Sequence, residues 1–281
     1  MPELPGLEVT KDRLRLTLTG RLVTGVVARS PVALKTVMPP LESIICRHIR
    51  SVNRLGKVIC IGLDDSLYLC IHLMLSGRLA FGPTRAPLNR LHAFALRLDR
   101  DEDLRIIEDS TRHLLSIYLV ADPRQIDVVA RLGPDPLSPE FTLARLRQAL
   151  NRRSRTLKRF LTDQSTIADI GNCFSDEILF AARLSPFALS TAIRPEETIR
   201  LYTATRKVLQ DAILRLRALD RLPERKDRTF LRVHNRLDQP CPVCSTLVKR
   251  VSFQESTLYY CPTCQTGGRE LADRRFSKFL K

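Results

Sequence analysis

Three groups of residues in the 281-residue chain have the types and spacing to do chemistry. The strongest is Cys241-Pro242-Val243-Cys244, followed after sixteen residues by Cys261-Pro262-Thr263-Cys264. Two Cys-x-x-Cys pairs at this separation form the pattern of a structural zinc site. Each knuckle presents two thiolates, and the two together close a tetrahedral cage with Zn–S near ~2.3 Å. Four thiolates leave no open coordination position, so the Zn2+ has a structural role and no catalytic one. The intervening Thr246–Tyr260 is rich in Val, Phe, Leu and Tyr and reads as a hairpin. So small a module has too little core to fold without its metal. Disulfides are the alternative for these cysteines, disfavoured in a reducing compartment. Cys46, Cys60, Cys70 and Cys173 are scattered and read as small buried apolar residues.

The second group is the start, Met1-Pro2-Glu3-Leu4-Pro5. A small second residue permits removal of the initiator methionine, which would leave a free proline amine. Its pKa, near ~8 against ~10.4 for lysine, keeps more of it unprotonated at neutral pH. Such an amine can attack an aldehydic or sugar C1′ carbon and form an iminium, with Glu3 beside it as acid or base. Alone the signal is weak, since many proteins begin this way. The third group, Asp163 to Phe180, reads as helix, turn, helix, with Gly171 permitting an unusual backbone at the turn. Asn172 and the first amides of the next helix can hold a phosphate. Ser175-Asp176-Glu177 resembles a helix start, and an ordinary helical hairpin is the competing reading.

These residues need elements to position them. Residues 1–131 read as mostly β, a sandwich or barrel, with an early helix over Glu8–Leu18. Strand-like runs cover Leu22–Val27, Val58–Leu63, Ser66–Leu73, Ala93–Leu98 and Leu104–Glu108, punctuated by turn formers. Beyond Leu132-Gly133-Pro134 the period becomes helical, over 132–228, with apolar residues at three-and-four spacing and a basic run Arg152, Arg153, Arg155, Lys158, Arg159 that reads as a solvated face. Residues 229–281 hold the cysteine module and a tail. Lys and Arg number 46 against 30 Asp and Glu, a formal charge of +16 that points to a polyanionic partner. No apolar run approaches the ~18–20 residues of a membrane span. The start lacks a signal-peptide layout, so the chain is expected to be cytoplasmic.

The three groups, taken in order, resemble the formamidopyrimidine-DNA glycosylase/endonuclease VIII family. Gly56-Lys57, His72-Leu73 with Ser76-Gly77, and Leu184-Ser185-Pro186 add to the match, which runs across nearly the whole chain. The resemblance implies an α+β multidomain protein: an N-terminal β-sandwich, a helix–two-turn–helix domain and a C-terminal zinc-finger hairpin. It implies a monomer that binds double-stranded DNA with a damaged base or an abasic site, in a cleft between its domains. Pro2 would attack C1′ and displace the base, Glu3 would move the proton, and the Schiff base would undergo β-elimination. Lys57, the third member of the catalytic set, would contact a phosphate beside the lesion, with His72, His92, Arg112 and Asn172 gripping the backbone. The plain readings of Lys57 as a strand-end charge and of His72 as a core histidine stand beside these.

Departures from the family pattern bear on turnover and specificity. Gly6 stands where the family has a glutamate, although Glu8 remains, and Ser256 where its hairpin carries an arginine. A neutral serine cannot make a charge-assisted phosphate contact. Leu75, Thr111 and His113 replace a methionine, an arginine and a phenylalanine of the segments that fill the gap left by the lesion. Leu216–Arg228 has no glycine, which argues against the specificity of oxidised-guanine enzymes. A glycosylase and abasic-site lyase is the first reading. A divergent binder of damaged or abasic DNA is the second, and a zinc-finger transcription factor leaves the N-terminus unexplained.

Overall fold

The computed structural model describes residues 2–110, 112–224, 226–253 and 256–271, without the side chains of Phe253 and Ser256. Met1 and its removal, Thr111, the Ser256 side chain and the tail after Leu271 therefore lie outside the described residues. The chain divides into two compact units. One is formed by the chain up to Arg131 with the segment that starts at Arg215, the other by Leu132–Leu214 with the segment from Lys226 onward.

The first unit opens on helix α1 (Leu4–Leu18), four residues earlier than the apolar pattern suggests. Pro5 sits in its first turn, where a missing N–H costs nothing and a fixed φ favours the helix. Strands β1 (Val23–Ala28), β2 (Ile49–Leu55), β3 (Val58–Leu63), β4 (Tyr68–His72), β5 (Gly77–Pro83), β6 (His92–Leu98), β7 (Glu102–Glu108) and β8 (Ser116–Val120) follow, and α2 (Asp127–Ala130) closes the segment. They form two antiparallel four-stranded sheets, ordered β1-β6-β7-β5 and β2-β3-β4-β8. Ile59, Ile61, Leu69, Ile71 and Ile117 of one sheet share an apolar core with Phe94, Leu96, Leu104 and Ile106 of the other, and with Leu7, Leu14 and Leu18 of α1. This is the expected sandwich. One cysteine expectation fails: Cys60, Cys70 and Cys173 are buried, but Cys46 is exposed, in a turn with φ 62°.

The second unit holds α3 (Leu143–Arg152), α4 (Leu157–Thr162), α5 (Asn172–Ala182) and most of α6 (Pro195–Arg217). The side chains of Thr142 and Thr156 cap α3 and α4, accepting from the amides of Arg145 and Arg159. Strands β9 (Lys249–Phe253) and β10 (Ser256–Tyr260) pair as the expected antiparallel hairpin, followed by α7 (Pro262–Thr266). Two readings of the Asp163–Phe180 segment are corrected. Gly171 has an ordinary φ of -116°, and the left-handed residue of the turn is Asp169, at φ 70°. Helix α5 starts at Asn172, so Ser175, Asp176 and Glu177 lie inside it, and all three are buried. Lys158 is likewise buried rather than part of a solvated face. Among the described residues, no helix is long and apolar enough to cross a membrane.

Candidate active site

In the first unit the fold gathers the candidates around the start of α1. Glu3 is the residue on which the helix starts, with extended backbone (φ -123°, ψ 174°), and it is 4% exposed. A carboxylate there meets the positive end of the helix dipole. Pro2, half-buried, adjoins it. Lys57 comes from the two-residue turn between β2 and β3, closed by the Leu55–Val58 pair. Gly56 takes φ 57° in that turn, a conformation that suits glycine. His72 lies opposite Val58 on β4, so strand register brings it beside Lys57.

Electrostatics ties the three together. Burial lowers the Lys57 pKa below its usual value, and the Glu3 carboxylate partly offsets that shift. Burial, helped by the Lys57 charge, pushes His72 down to about 4. His72 is therefore a neutral imidazole at physiological pH, able to donate from one ring nitrogen and accept at the other. A buried carboxylate, a poised ammonium and a neutral imidazole converge next to Pro2.

Arg54, which the sequence offered no reason to single out, fastens this arrangement. Its side chain is 5% exposed; Nε donates to Glu8 Oε2 at 2.9 Å and Nη1 to the Gly56 carbonyl at 3.4 Å. It thereby links α1 to the turn that carries Lys57. Glu8 is also paired with Lys11, so its carboxylate is engaged by two cations. A Cβ on Gly6 would meet nothing within 4 Å, so no steric conflict explains the glycine.

The remaining candidates lie elsewhere. His92 starts β6 on the other sheet, where its Nδ1 accepts from the Asn89 amide at 3.0 Å. Burial lowers its pKa, with Arg105, Arg29 and Arg78 adding to the effect. Arg112 and His113 are exposed in the loop after β7, and His113 Nδ1 stands 3.6 Å from the buried Glu108 carboxylate. Leu75, 51% exposed, occupies the turn between β4 and β5. Gly77 closes that turn, where a Cβ would fall 2.4 Å from the Leu73 carbonyl oxygen.

In the second unit the Sγ atoms of Cys241, Cys244, Cys261 and Cys264 all lie within 4.8 Å of one another. Separations of 3.9 Å (Cys241–Cys264), 3.4 Å (Cys244–Cys261) and 3.5 Å (Cys244–Cys264) bracket the ~3.8 Å expected of thiolates around a tetrahedral zinc with Zn–S near ~2.3 Å. The Val243 amide points at Cys241 Sγ, 3.4 Å away, as a knuckle requires. These four residues hold the structural Zn2+. The module is joined to α5 by a buried polar network. Glu177 accepts from the amides of Arg232, Val233 and His234 at 2.8–2.9 Å. Asp176 Oδ1 accepts from Lys158 Nζ at 2.5 Å, and its Oδ2 takes His234 Nδ1 at 2.7 Å and the Tyr259 amide at 3.2 Å. Asn172 Nδ2 donates to the Thr257 carbonyl at 2.6 Å, so its side-chain N–H group is engaged with the hairpin.

Three family models match in the same order. That of the formamidopyrimidine-DNA glycosylase N-terminal domain covers residues 1–113, that of its H2TH domain 132–218, and that of the zinc finger found in FPG and IleRS 238–267. The chain belongs to the formamidopyrimidine-DNA glycosylase family. It is 33% identical to the glycosylase of this name from Pelotomaculum thermopropionicum, over 94% of this chain and 99% of that protein. Identity to the one from Thermus thermophilus is 34%, over 95% and 100%. The crystal structure of the Thermus thermophilus MutM (Fpg) protein superposes with a TM-score of 0.82 at 32% identity, covering 96% of this chain and 100% of that one. Lactococcus lactis Fpg, solved in complex with DNA containing an abasic site, shares the fold at a TM-score of 0.85 and 21% identity, covering 94% of this chain and 100% of its own. Every named relative above carries the name of this glycosylase family, and none that of a non-catalytic binder or a transcription factor.

Proposed function

We propose that this family member excises damaged bases from double-stranded DNA and cuts the strand at the resulting abasic site, with Pro2 as nucleophile. The observation that carries the reading is the convergence of Glu3, Lys57 and His72 at the start of α1, next to Pro2. The unprotonated Pro2 amine attacks C1′. The new N–C1′ bond forms as the glycosidic bond breaks, and the base leaves with a proton. Ring opening gives an iminium, with Glu3 as proton carrier to the sugar oxygen. Loss of a C2′ proton then expels the 3′ phosphate, and water releases the amine.

Lys57 and His72 hold the phosphate beside the lesion, one as a charge and the other as a neutral donor. His92, Arg112 and Asn172 are assigned to further backbone contacts, which for Asn172 means exchanging the Thr257 carbonyl for a phosphate. Residues 1–131 carry the chemistry, 132–228 grip DNA and 229–281 hold the zinc module, in a monomer working in the cytoplasm. The glycine-free Leu216–Arg228 segment favours a lesion choice other than that of the oxidised-guanine enzymes, and Gly6 bears on proton transfer at the nucleophile.

The test is reductive trapping. Purified protein is incubated with a duplex containing one abasic site and treated with borohydride. A covalent adduct is expected, and it should vanish in Pro2→Gly with a blocked amine. Tight binding without an adduct would refute the mechanism.

A further inference from the structure

The basic run at the start of the helical region is only partly explained by the reading above, since of its members Lys158 alone enters the network around α5. Arg152, Arg153 and Arg155, together with Arg145 from α3, line a cavity of about 560 Å³ within the second unit. Asp163 and Thr166 line it from the turn that leads to α5.

The charges in this cavity are not cancelled. Among the described residues Asp163 is the one carboxylate of the lining, and it is engaged by Arg155 Nη1, the Ser165 amide and hydroxyl, and the Thr166 hydroxyl. Arg155 is held in place by Asp163, by Thr166 Oγ1 at 2.5 Å and by the Phe160 ring, whose centroid lies 5.3 Å from its guanidinium carbon. Its Nε is buried without an acceptor among the described residues. Among the described residues the Arg145 guanidinium pairs only with the exposed Glu140, at 3.7 Å, a pair that solvent screens. Arg152 and Arg153 are exposed. Four arginines therefore line a concavity open to solvent, and one of them, Arg155, is paired with Asp163. Planar, always-charged donors in that arrangement select phosphate oxygens.

We propose that this cavity is a second phosphodiester site, which grips the backbone of undamaged duplex DNA independently of the lesion chemistry. The inference rests on DNA being the partner. It adds a sequence-blind contact on the helical unit, of the kind that holds a repair protein on intact duplex while it searches.

The test uses the full zinc-loaded chain and a labelled lesion-free duplex, with binding followed by anisotropy over a salt series. Each phosphate contact contributes about -0.9 to the slope of log affinity against log salt. The double variant Arg152→Glu/Arg153→Glu is expected to flatten that slope by about 1.8 and to weaken binding roughly tenfold at moderate salt. Arg152→Lys/Arg153→Lys, which keeps the charges, should retain most of the slope. Arg147→Glu/Lys207→Glu changes the charge equally in the same unit, outside the lining. An equal loss there would assign the effect to bulk charge and overturn the proposal. So would an unchanged slope in the first variant, or saturable binding of inorganic pyrophosphate that requires Arg152 and Arg153 while duplex affinity does not. If the unmodified chain fails to bind duplex at all, the functional reading falls first; if it binds and traps normally while the slope is unchanged in Arg152→Glu/Arg153→Glu, only this site falls.

Discussion

Replacing Asp176 by alanine tests how the zinc module is held to helix α5. Asp176 is 1% exposed, and its two oxygens take Lys158 Nζ, His234 Nδ1 and the Tyr259 amide. Lys158, 9% exposed, would keep only two neutral acceptors, the Asn172 carbonyl at 2.7 Å and Ser175 Oγ at 2.8 Å. Breaking a buried pair by removing one partner costs about 3–5 kcal/mol, because a buried charge is left uncompensated. That is a large part of the ~5–15 kcal/mol by which a domain is stable. Urea unfolding followed by circular dichroism, at one fixed excess of zinc, measures it. Adding Lys158→Met to Asp176→Ala removes the stranded ammonium, so the double variant should be more stable than the sum of the single changes by at least about 1 kcal/mol. A loss below about 0.5 kcal/mol for Asp176→Ala, or strict additivity of the pair, would refute the argument, since surface sites away from special features behave that way.

Three further outcomes follow from the first unit. Glu3→Gln removes the carboxylate that offsets burial at Lys57, so the Lys57 pKa should fall further; 13C NMR of the reductively methylated lysine follows it, and a rise would contradict the placement. His72 should titrate at about 4, staying neutral through pH 5 in its imidazole NMR signals. Its folded pKa lies below the free value of 6.5, so the unfolded chain takes up the proton first, and stability should drop as pH falls from 6.5 towards 4. Gly6→Glu, at the third position of α1 with open space around its Cβ, should raise stability by about 0.5–1 kcal/mol in thermal unfolding, through helix propensity and the dipole. A loss of stability would show that the space is not free.

The strands that the pattern did not mark are informative. Val58–Leu63 is apolar on both faces and stands out, whereas Ile49–Leu55 alternates with Arg50, Asn53 and Arg54, and Gly77–Pro83 carries Gly and Pro. Those two are strands because neighbours supply their hydrogen bonds and cover one face, which no local pattern records. Ser175, Asp176 and Glu177 look like a helix start for the converse reason. Polar residues in a row suggest a solvated cap, and only packing against Arg232–His234 and Tyr259 shows that they face partners inside.

What the amino-acid order alone determined is chemistry that is local along the chain. The cysteine spacing sets the zinc knuckles, Pro2 and Glu3 are covalent neighbours, and the glycine before Lys57 makes its turn. The rest required residues far apart in sequence to meet. The placing of His72 beside Lys57 depends on the register of β3 against β4, and the Arg54 tie on α1 lying close to the β2–β3 turn. The lowered pKa values follow from burial, and desolvation belongs to a packed environment, not to a residue type.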